Sequence, residues 1–72
     1  MKEIITIKTE FIKLDQLLKY AAVVQTGGHA KEIINEGLVL VNEEQTFARG
    51  KKIRSGDIVK INLDEEIELI VK

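Results

Sequence analysis

The sequence has no cysteine, one histidine and only three aspartates among its 72 residues. Without cysteine it has no disulfide framework, no thiolate nucleophile and no Cys-rich zinc site. One histidine and three scattered aspartates leave little from which to build a catalytic triad or a metal centre. A domain of this length also rarely forms a deep pocket beside its core. We therefore expect no catalytic residue, no metal or other cofactor, and no small-molecule substrate.

Long apolar runs are missing as well. Runs such as residues 38–41 fall far short of the roughly 20 residues that span a bilayer. Residues 1–4 mix polar and apolar side chains and lack the apolar region of a signal peptide. We expect a cytoplasmic protein that does not bind membranes.

Length and composition predict one domain over residues 1–72. A chain this short buries barely enough apolar surface to offset the entropy of ordering it. The hydrophobic residues, 44% of the total, are therefore expected in one core. No internal repeat, low-complexity stretch or linker divides the chain.

Two short helices are predicted in the first half of the sequence. From Leu14, apolar residues recur at i, i+3, i+4, i+7 and i+8, which indicates an amphipathic helix to about Val23. Residues 26–28 interrupt this pattern, and a second helix is expected from Ala30. It ends near Gly37, because glycine commonly terminates helices in a left-handed conformation. Two helices joined by a glycine-containing turn predict a helix hairpin.

Strands are predicted before and after the hairpin. Residues 2–8 are rich in β-branched side chains, and residues 38–41 read as a buried strand followed by a turn at 42–44. Residues 58–63 and 67–71 alternate in polarity around a turn at 64–65, which predicts a β-hairpin. The predicted fold class is α+β, with two helices packed against a small, mostly antiparallel sheet.

The net charge of −1 is unevenly distributed along the chain. Residues 49–57 sum to +3, because Arg49, Lys51, Lys52 and Arg54 outnumber Asp57. A charge run on a small protein is often only solvated surface. It is also the kind of basic patch that contacts nucleic-acid phosphates.

A second cationic position lies at the start of the second helix. Lys31 is expected in its first turn, where the helix dipole mildly disfavours a cation. The Gly27-Gly28 entry leaves backbone N–H groups free, which is an anion-binding arrangement. A phosphate could meet both Lys31 and these amides; the alternative is a solvated lysine. His29 has no partner acid or nucleophile and is expected to be an exposed or capping residue.

Phe11, Tyr20 and Phe47 are the only aromatic residues. Their predicted positions suggest that they pack in or near the core. We therefore expect no aromatic platform for stacking unpaired bases. Any RNA contact would be mainly to phosphates and helix shape.

Four stretches follow the order of a known family pattern. They are Lys-Leu-Asp-Gln-Leu-Leu-Lys-Tyr at 13–20, Ala-Lys-Glu-Ile-Ile-Asn-Glu-Gly at 30–37, Val-Leu-Val-Asn at 39–42 and Ser-Gly-Asp-Ile-Val at 55–59. Together they resemble the S-four RNA-binding domain, with a core motif at about 13–61. The Thr-Gly-Gly-His-Ala-Lys stretch and the Arg-Gly-Lys-Lys loop are similar to those of small stand-alone bacterial members of the YaaA and YbcJ type.

This resemblance implies an RNA-binding αL motif, in which RNA lies along the helix hairpin and the neighbouring basic loop. Glu43 stands where the family often has glycine. Carried over by position, the resemblance implies RNA contacts from Lys13, Thr26, Gly27, Gly28, Lys31, Arg49, Lys51, Lys52 and Arg54.

The resemblance and the charge pattern together predict a non-enzymatic RNA-binding module. Its expected partner is structured RNA such as ribosomal RNA, during ribosome assembly or on the ribosomal particle. The alternative is a β-grasp-like protein-interaction module that binds no RNA. Sulfur carriers of β-grasp type end in Gly-Gly, whereas this sequence ends in Ile70-Val71-Lys72.

Overall fold

The computed structural model describes all residues 1–72 and has two helices and seven strands. The helices are α1 (Leu14–Tyr20) and α2 (Gly27–Asn35). The strands are β1 (Lys2–Ile5), β2 (Ile12–Lys13), β3 (Val39–Val41), β4 (Glu44–Gln45), β5 (Lys52–Ile53), β6 (Ile58–Asn62) and β7 (Glu66–Val71). Neither helix has the length and apolar character needed to cross a membrane.

The strands form a large and a small sheet. The five-stranded sheet has the order β1-β7-β6-β3-β4, and the two-stranded sheet pairs β2 with β5. Every pairing is antiparallel except that of β1 with β7, which is parallel. The predicted α+β class, with a mostly antiparallel sheet, is confirmed.

One apolar core joins the helices to one face of the five-stranded sheet. The predicted inward positions of α1, including Leu17 and Leu18, are fully buried, and so are Val59 and Ile61 on β6. No polar or charged residue is buried. The other face of the sheet carries no helix. This open face consists of Lys2, Ile4, Leu40, Ile58, Lys60, Glu68 and Ile70, which lie opposite one another in the strand register.

One boundary of each helix differs from the prediction. Helix α1 ends at Tyr20 instead of Val23, because Ala22 adopts a left-handed conformation with φ 59°. Helix α2 begins at Gly27 instead of Ala30, because Thr26 caps it: its hydroxyl oxygen accepts a hydrogen bond from the His29 N–H at 3.1 Å. The two glycines therefore lie inside the helix and do not precede it.

Gly37 ends α2 as predicted. Its φ is +76°, and the N–H groups of Gly37 and Leu38 donate to the carbonyls of Ile34 and Ile33. A Cβ at position 37 would also lie 2.5 Å from the Gln45 Nε2 and displace the end of that flexible side chain, but it is the positive φ that favours glycine here.

Several strand predictions were incomplete. Strand β1 ends at Ile5 instead of continuing to residue 8, and β2, β4 and β5 were not predicted. Each of these three strands has two residues, too few to produce a visible alternation. The turn predicted at 42–44 is shorter, since Glu44 already belongs to β4. Asn42 and Glu43 have φ values of 51° and 70°, the positive pair that tight hairpin turns use.

Candidate nucleic-acid interface

The two-stranded sheet places positive charges on one side. In its register Ile12 pairs with Ile53 and Lys13 with Lys52. Side chains alternate along a strand, so the lysines point away from Ile53, which is fully buried. Arg54 is the next residue on the lysine side. We call this exposed surface, formed by Lys13, Lys52 and Arg54, the basic face.

Phe11 belongs to the basic face as well. The Lys52 Nζ lies 4.9 Å from the centroid of its ring, and the Arg54 Cζ lies 5.7 Å from it. These distances are in the range of cation–π contacts. The expectation that all three aromatics pack in or near the core is wrong for Tyr20 and Phe47, which are 64% and 59% exposed. Phe11 is half-buried, with Lys52 and Arg54 lying over its ring.

The segment of residues 49–54 holds the first turn of α1 through its backbone. The Leu14 N–H donates to the Lys51 carbonyl at 2.9 Å, and the Asp15 N–H donates to the Arg49 carbonyl at 3.0 Å. These bonds satisfy two of the amide groups that every helix leaves unpaired at its start. They explain why Lys13 can occupy the N-cap position without a side-chain capping bond. No residue pattern in the sequence indicated this backbone cap.

The Lys51 side chain belongs to a different surface from that of Lys52. It lines a polar hollow of about 210 Å³ whose other residues are Val41, Asn42, Glu44, Gln45 and Thr46. Because Glu44 contributes a carboxylate to the same hollow, the basic character there is weaker than on the basic face.

The start of α2 forms a second cationic group. The N–H groups of Gly27 and Gly28 have no hydrogen-bond partner within the chain, and both residues are exposed. A Cβ at either position would meet no atom within 4 Å, so packing does not explain the two glycines. Lys31 is exposed but lies in the second turn of the helix, not in the first as predicted, because the helix begins three residues earlier. His29 is exposed, as predicted.

The nine predicted site residues therefore fall into two groups. Lys13, Arg49, Lys51, Lys52 and Arg54 lie around the small sheet and the start of α1, whereas residues 26–31 lie on α2. No hydrogen bond, ion pair or strand pairing connects the groups. Helix α1 contacts β2, β5 and α2, the elements that carry the two groups.

The ion pairs of the molecule lie away from both groups. The Met1 amino group pairs with Glu65, Lys2 with Glu68 and Lys60 with Glu43. None of the six predicted cations makes an ion pair. Glu43, which departs from the family pattern, is bound to Lys60 and not to the basic segment, and this hydrogen bond raises the pKa of Lys60.

Asp57 lies three residues after Arg54 of the basic face. Its carboxylate accepts hydrogen bonds from the Arg54 N–H at 2.8 Å and the Asn42 side-chain amide at 3.0 Å. Burial alone would raise the pKa of Asp57. These hydrogen bonds and the charges of Lys51 and Arg54 outweigh burial, so the pKa lies below its usual value. Asp57 thus fixes the backbone of Arg54 and leaves its guanidinium group without an ion pair.

The structure brings together no metal-binding set of three or more His, Cys, Asp or Glu side chains. Lysine and arginine side chains and free backbone N–H groups supply positive charge and hydrogen-bond donors at the two cationic groups. Both suit an anion that presents several oxygens, such as a phosphate.

Comparisons with known proteins agree with the motifs. A family model of the S4 domain matches residues 5–70. A curated protein of Bacillus subtilis (strain 168), called "Probable ribosome maturation protein RlbA", is 51% identical over 57 residues, which cover 79% of this chain and 80% of the relative. The resemblance to the S-four domain is confirmed.

Proposed function

The chain belongs to the S4 domain family, and from this premise we propose that it is a non-catalytic RNA-binding module that acts in ribosome maturation. Its ligand is structured ribosomal RNA, contacted mainly at phosphates. The name of the Bacillus subtilis relative, a probable ribosome maturation protein, supports this process. The contacts come from the two cationic groups: Lys13, Arg49, Lys51, Lys52 and Arg54 around the small sheet, and Thr26, Gly27, Gly28 and Lys31 on α2.

One observation supports this proposal most strongly. Lys13 and Lys52 are directly opposite each other in a strand pair, and neither has a carboxylate partner. Like charges in this position destabilise a sheet. A polyanion bound to the basic face would remove the repulsion and use all three cations at once.

The α2 group offers a second kind of phosphate contact. Two free N–H groups at a helix start carry partial positive charge, and Lys31 adds a full charge one turn further on. Since α1 packs against both groups, an RNA strand that follows α1 could meet the basic face and the start of α2. Phosphate contacts of this type position a protein on RNA without reading its sequence.

The salt dependence of binding tests the proposal. Transcripts that together cover the ribosomal RNAs are titrated with the protein at several salt concentrations. If about four to six phosphates are contacted, the logarithm of the association constant falls against the logarithm of salt concentration with a slope of roughly −3 to −5. A flat response, or no binding to any transcript at low salt, would contradict the proposal.

A pair of double variants locates the site. Lys13→Gln with Lys52→Gln removes the opposed lysines of the basic face. Lys2→Gln with Lys60→Gln removes two lysines of the open face, so both proteins lose the same charge. We expect the first variant to lose about tenfold or more in affinity at moderate salt and its slope to shrink by about 2, since each lost phosphate contact reduces the slope by about 1.

The control double variant should bind RNA nearly as the unmodified protein does. Equal losses in the two double variants would mean that net charge alone governs binding. A loss confined to Lys2→Gln with Lys60→Gln would place the RNA on the open face and reject the proposed site.

A further inference from the structure

The ring of Phe11 touches the two cations of β5 and its neighbouring residue. Lys52 and Arg54 are both exposed, yet both place their charged groups within 6 Å of the same ring centroid. Exposed side chains of this length keep their charged heads in water, and holding one in a single position costs conformational entropy. Their common position therefore requires a cause.

Electrostatic forces between the cations act against this arrangement. Lys13 lies opposite Lys52, and Arg54 follows two residues later on the same side. No carboxylate forms an ion pair with any of them; Asp57 binds only the backbone N–H of Arg54. The face of an aromatic ring attracts cations, so Phe11 is the group that holds Lys52 and Arg54 in place.

The backbone around Phe11 keeps the ring where this contact is possible. The Thr9 hydroxyl donates to the Phe11 carbonyl at 2.8 Å, and the next residue, Ile12, pairs with Ile53. The ring is half-buried, and a phenylalanine side chain has only two rotatable bonds. A ring fixed in this way loses little entropy when it holds the longer, flexible cations.

We infer that Phe11 is a positioning residue of the RNA-binding site: its ring gathers Lys52 and Arg54 beside Lys13 before RNA arrives. The inference rests on the proposed function, which it deepens. Ordering a flexible side chain during binding weakens affinity, and a ring that orders two of them beforehand reduces this loss. The aromatic residue acts through the cations and reads no base.

Three single variants test the inference. Phe11→Leu keeps an apolar side chain but removes the ring, whereas Phe11→Tyr keeps the ring. Phe47→Leu is the matched control, because Phe47 is an exposed aromatic that no cation contacts. Thermal unfolding first establishes that all three variants are folded.

The first measurement is made on the free protein. A proton above an aromatic ring is shifted upfield, so the Lys52 side-chain methylene signals should lie upfield of ordinary lysine values. In Phe11→Leu these signals should return to ordinary values, and in Phe11→Tyr they should stay shifted. Unshifted Lys52 signals in the unmodified protein would overturn the inference without any use of RNA.

The second measurement is RNA affinity. We expect Phe11→Leu to bind the best ribosomal RNA transcript about three- to tenfold more weakly, with an unchanged salt slope because no charge is lost. Phe11→Tyr and Phe47→Leu should bind as the unmodified protein does. Full affinity of a folded Phe11→Leu protein would overturn the inference and leave the proposed function intact. Absence of RNA binding by the unmodified protein would instead reject the proposed function.

Discussion

Lysines on the open face of the five-stranded sheet have carboxylate partners, whereas those on the two-stranded sheet have none. Lys2 and Lys60 pair with Glu68 and Glu43. Lys13 and Lys52 lie opposite each other and meet only further positive charge and an aromatic ring. Folding alone favours the first arrangement, since paired charges stabilise a sheet and like charges destabilise it. The second arrangement is what a binding site for a polyanion needs.

The largest expected effect is the difference in unfolding free energy between two isoleucine variants, one beneath the basic face and one on the open face. Ile53 lies beneath the basic face and is fully buried, whereas Ile58 lies on the open face and is 37% exposed. We expect Ile53→Ala to lower the free energy of unfolding by about 2–5 kcal/mol, because it leaves a cavity in the core. Ile58→Ala should cost far less. Urea denaturation measures both; equal losses would show that the small sheet is not anchored in the core.

Asp57 connects the two regions, and its loss should have an intermediate effect. Asp57→Ala removes acceptors for the Arg54 N–H and the Asn42 amide. We expect a cost of about 1–2 kcal/mol, since bonds to a charged acceptor are stronger than neutral ones but this residue is only partly buried. Asp64→Ala is the control, because the Asp64 side chain makes no hydrogen bond or ion pair. A similar cost at both positions would contradict the role of Asp57.

The stability that Asp57 contributes should depend on pH. Its pKa in the folded protein is lowered, so its contribution is complete above the pKa of the unfolded chain, about 3.9. It is lost as the pH falls through the lower pKa of the folded state. The difference in unfolding free energy between the unmodified protein and Asp57→Ala should therefore be constant from pH 7 to about pH 5 and shrink below about pH 4. A difference that grows in acid would contradict the lowered pKa.

The smallest expected effect is a change in folding stability that has opposite signs for lysine variants on the two faces. Lys13→Gln removes a like-charge repulsion and should stabilise the fold by about 0.2–0.5 kcal/mol. Lys2→Gln removes the pair with Glu68 and should destabilise it by a similar amount, because exposed ion pairs contribute little. Shifts of about 1–4 °C in melting temperature are expected. Both should vanish in 1 M salt, where exposed charges are screened; shifts of the same sign would remove the contrast between the faces.

The sequence predicted best where an element repeats its pattern several times. Leu14, Leu17 and Leu18 face the core, and so do alternate residues of β6 and β7, because four or more residues establish a period. Two-residue strands contain no period, and the pairing of β2 with β5 joins residues far apart in sequence: Lys13 and Lys52 are separated by 39 positions. The parallel position of β1 beside β7 is likewise set by tertiary contacts.

The candidate site was predictable in composition but not in arrangement. Segment charges identified residues 49–54, yet only the register of the small sheet places Lys13 opposite Lys52. The same register explains why Phe11 was missed. Once Lys13 is known to face solvent, the Phe11 ring can be placed on the same side of the small sheet, because residues two apart in extended chain share a face.

The parallel pairing of β1 with β7 has a consequence for synthesis of the chain. The Met1 amino group donates to the Glu66 carbonyl, across 65 positions of sequence. At translation rates of about 5–20 residues per second, those 65 positions take about 3 to 13 seconds to emerge. During that interval the nascent β1, with Ile4 and Ile5, has no strand to pair with and presents an apolar edge that can aggregate. Of the seven strands described, the one made last, β7, protects the one made first, β1.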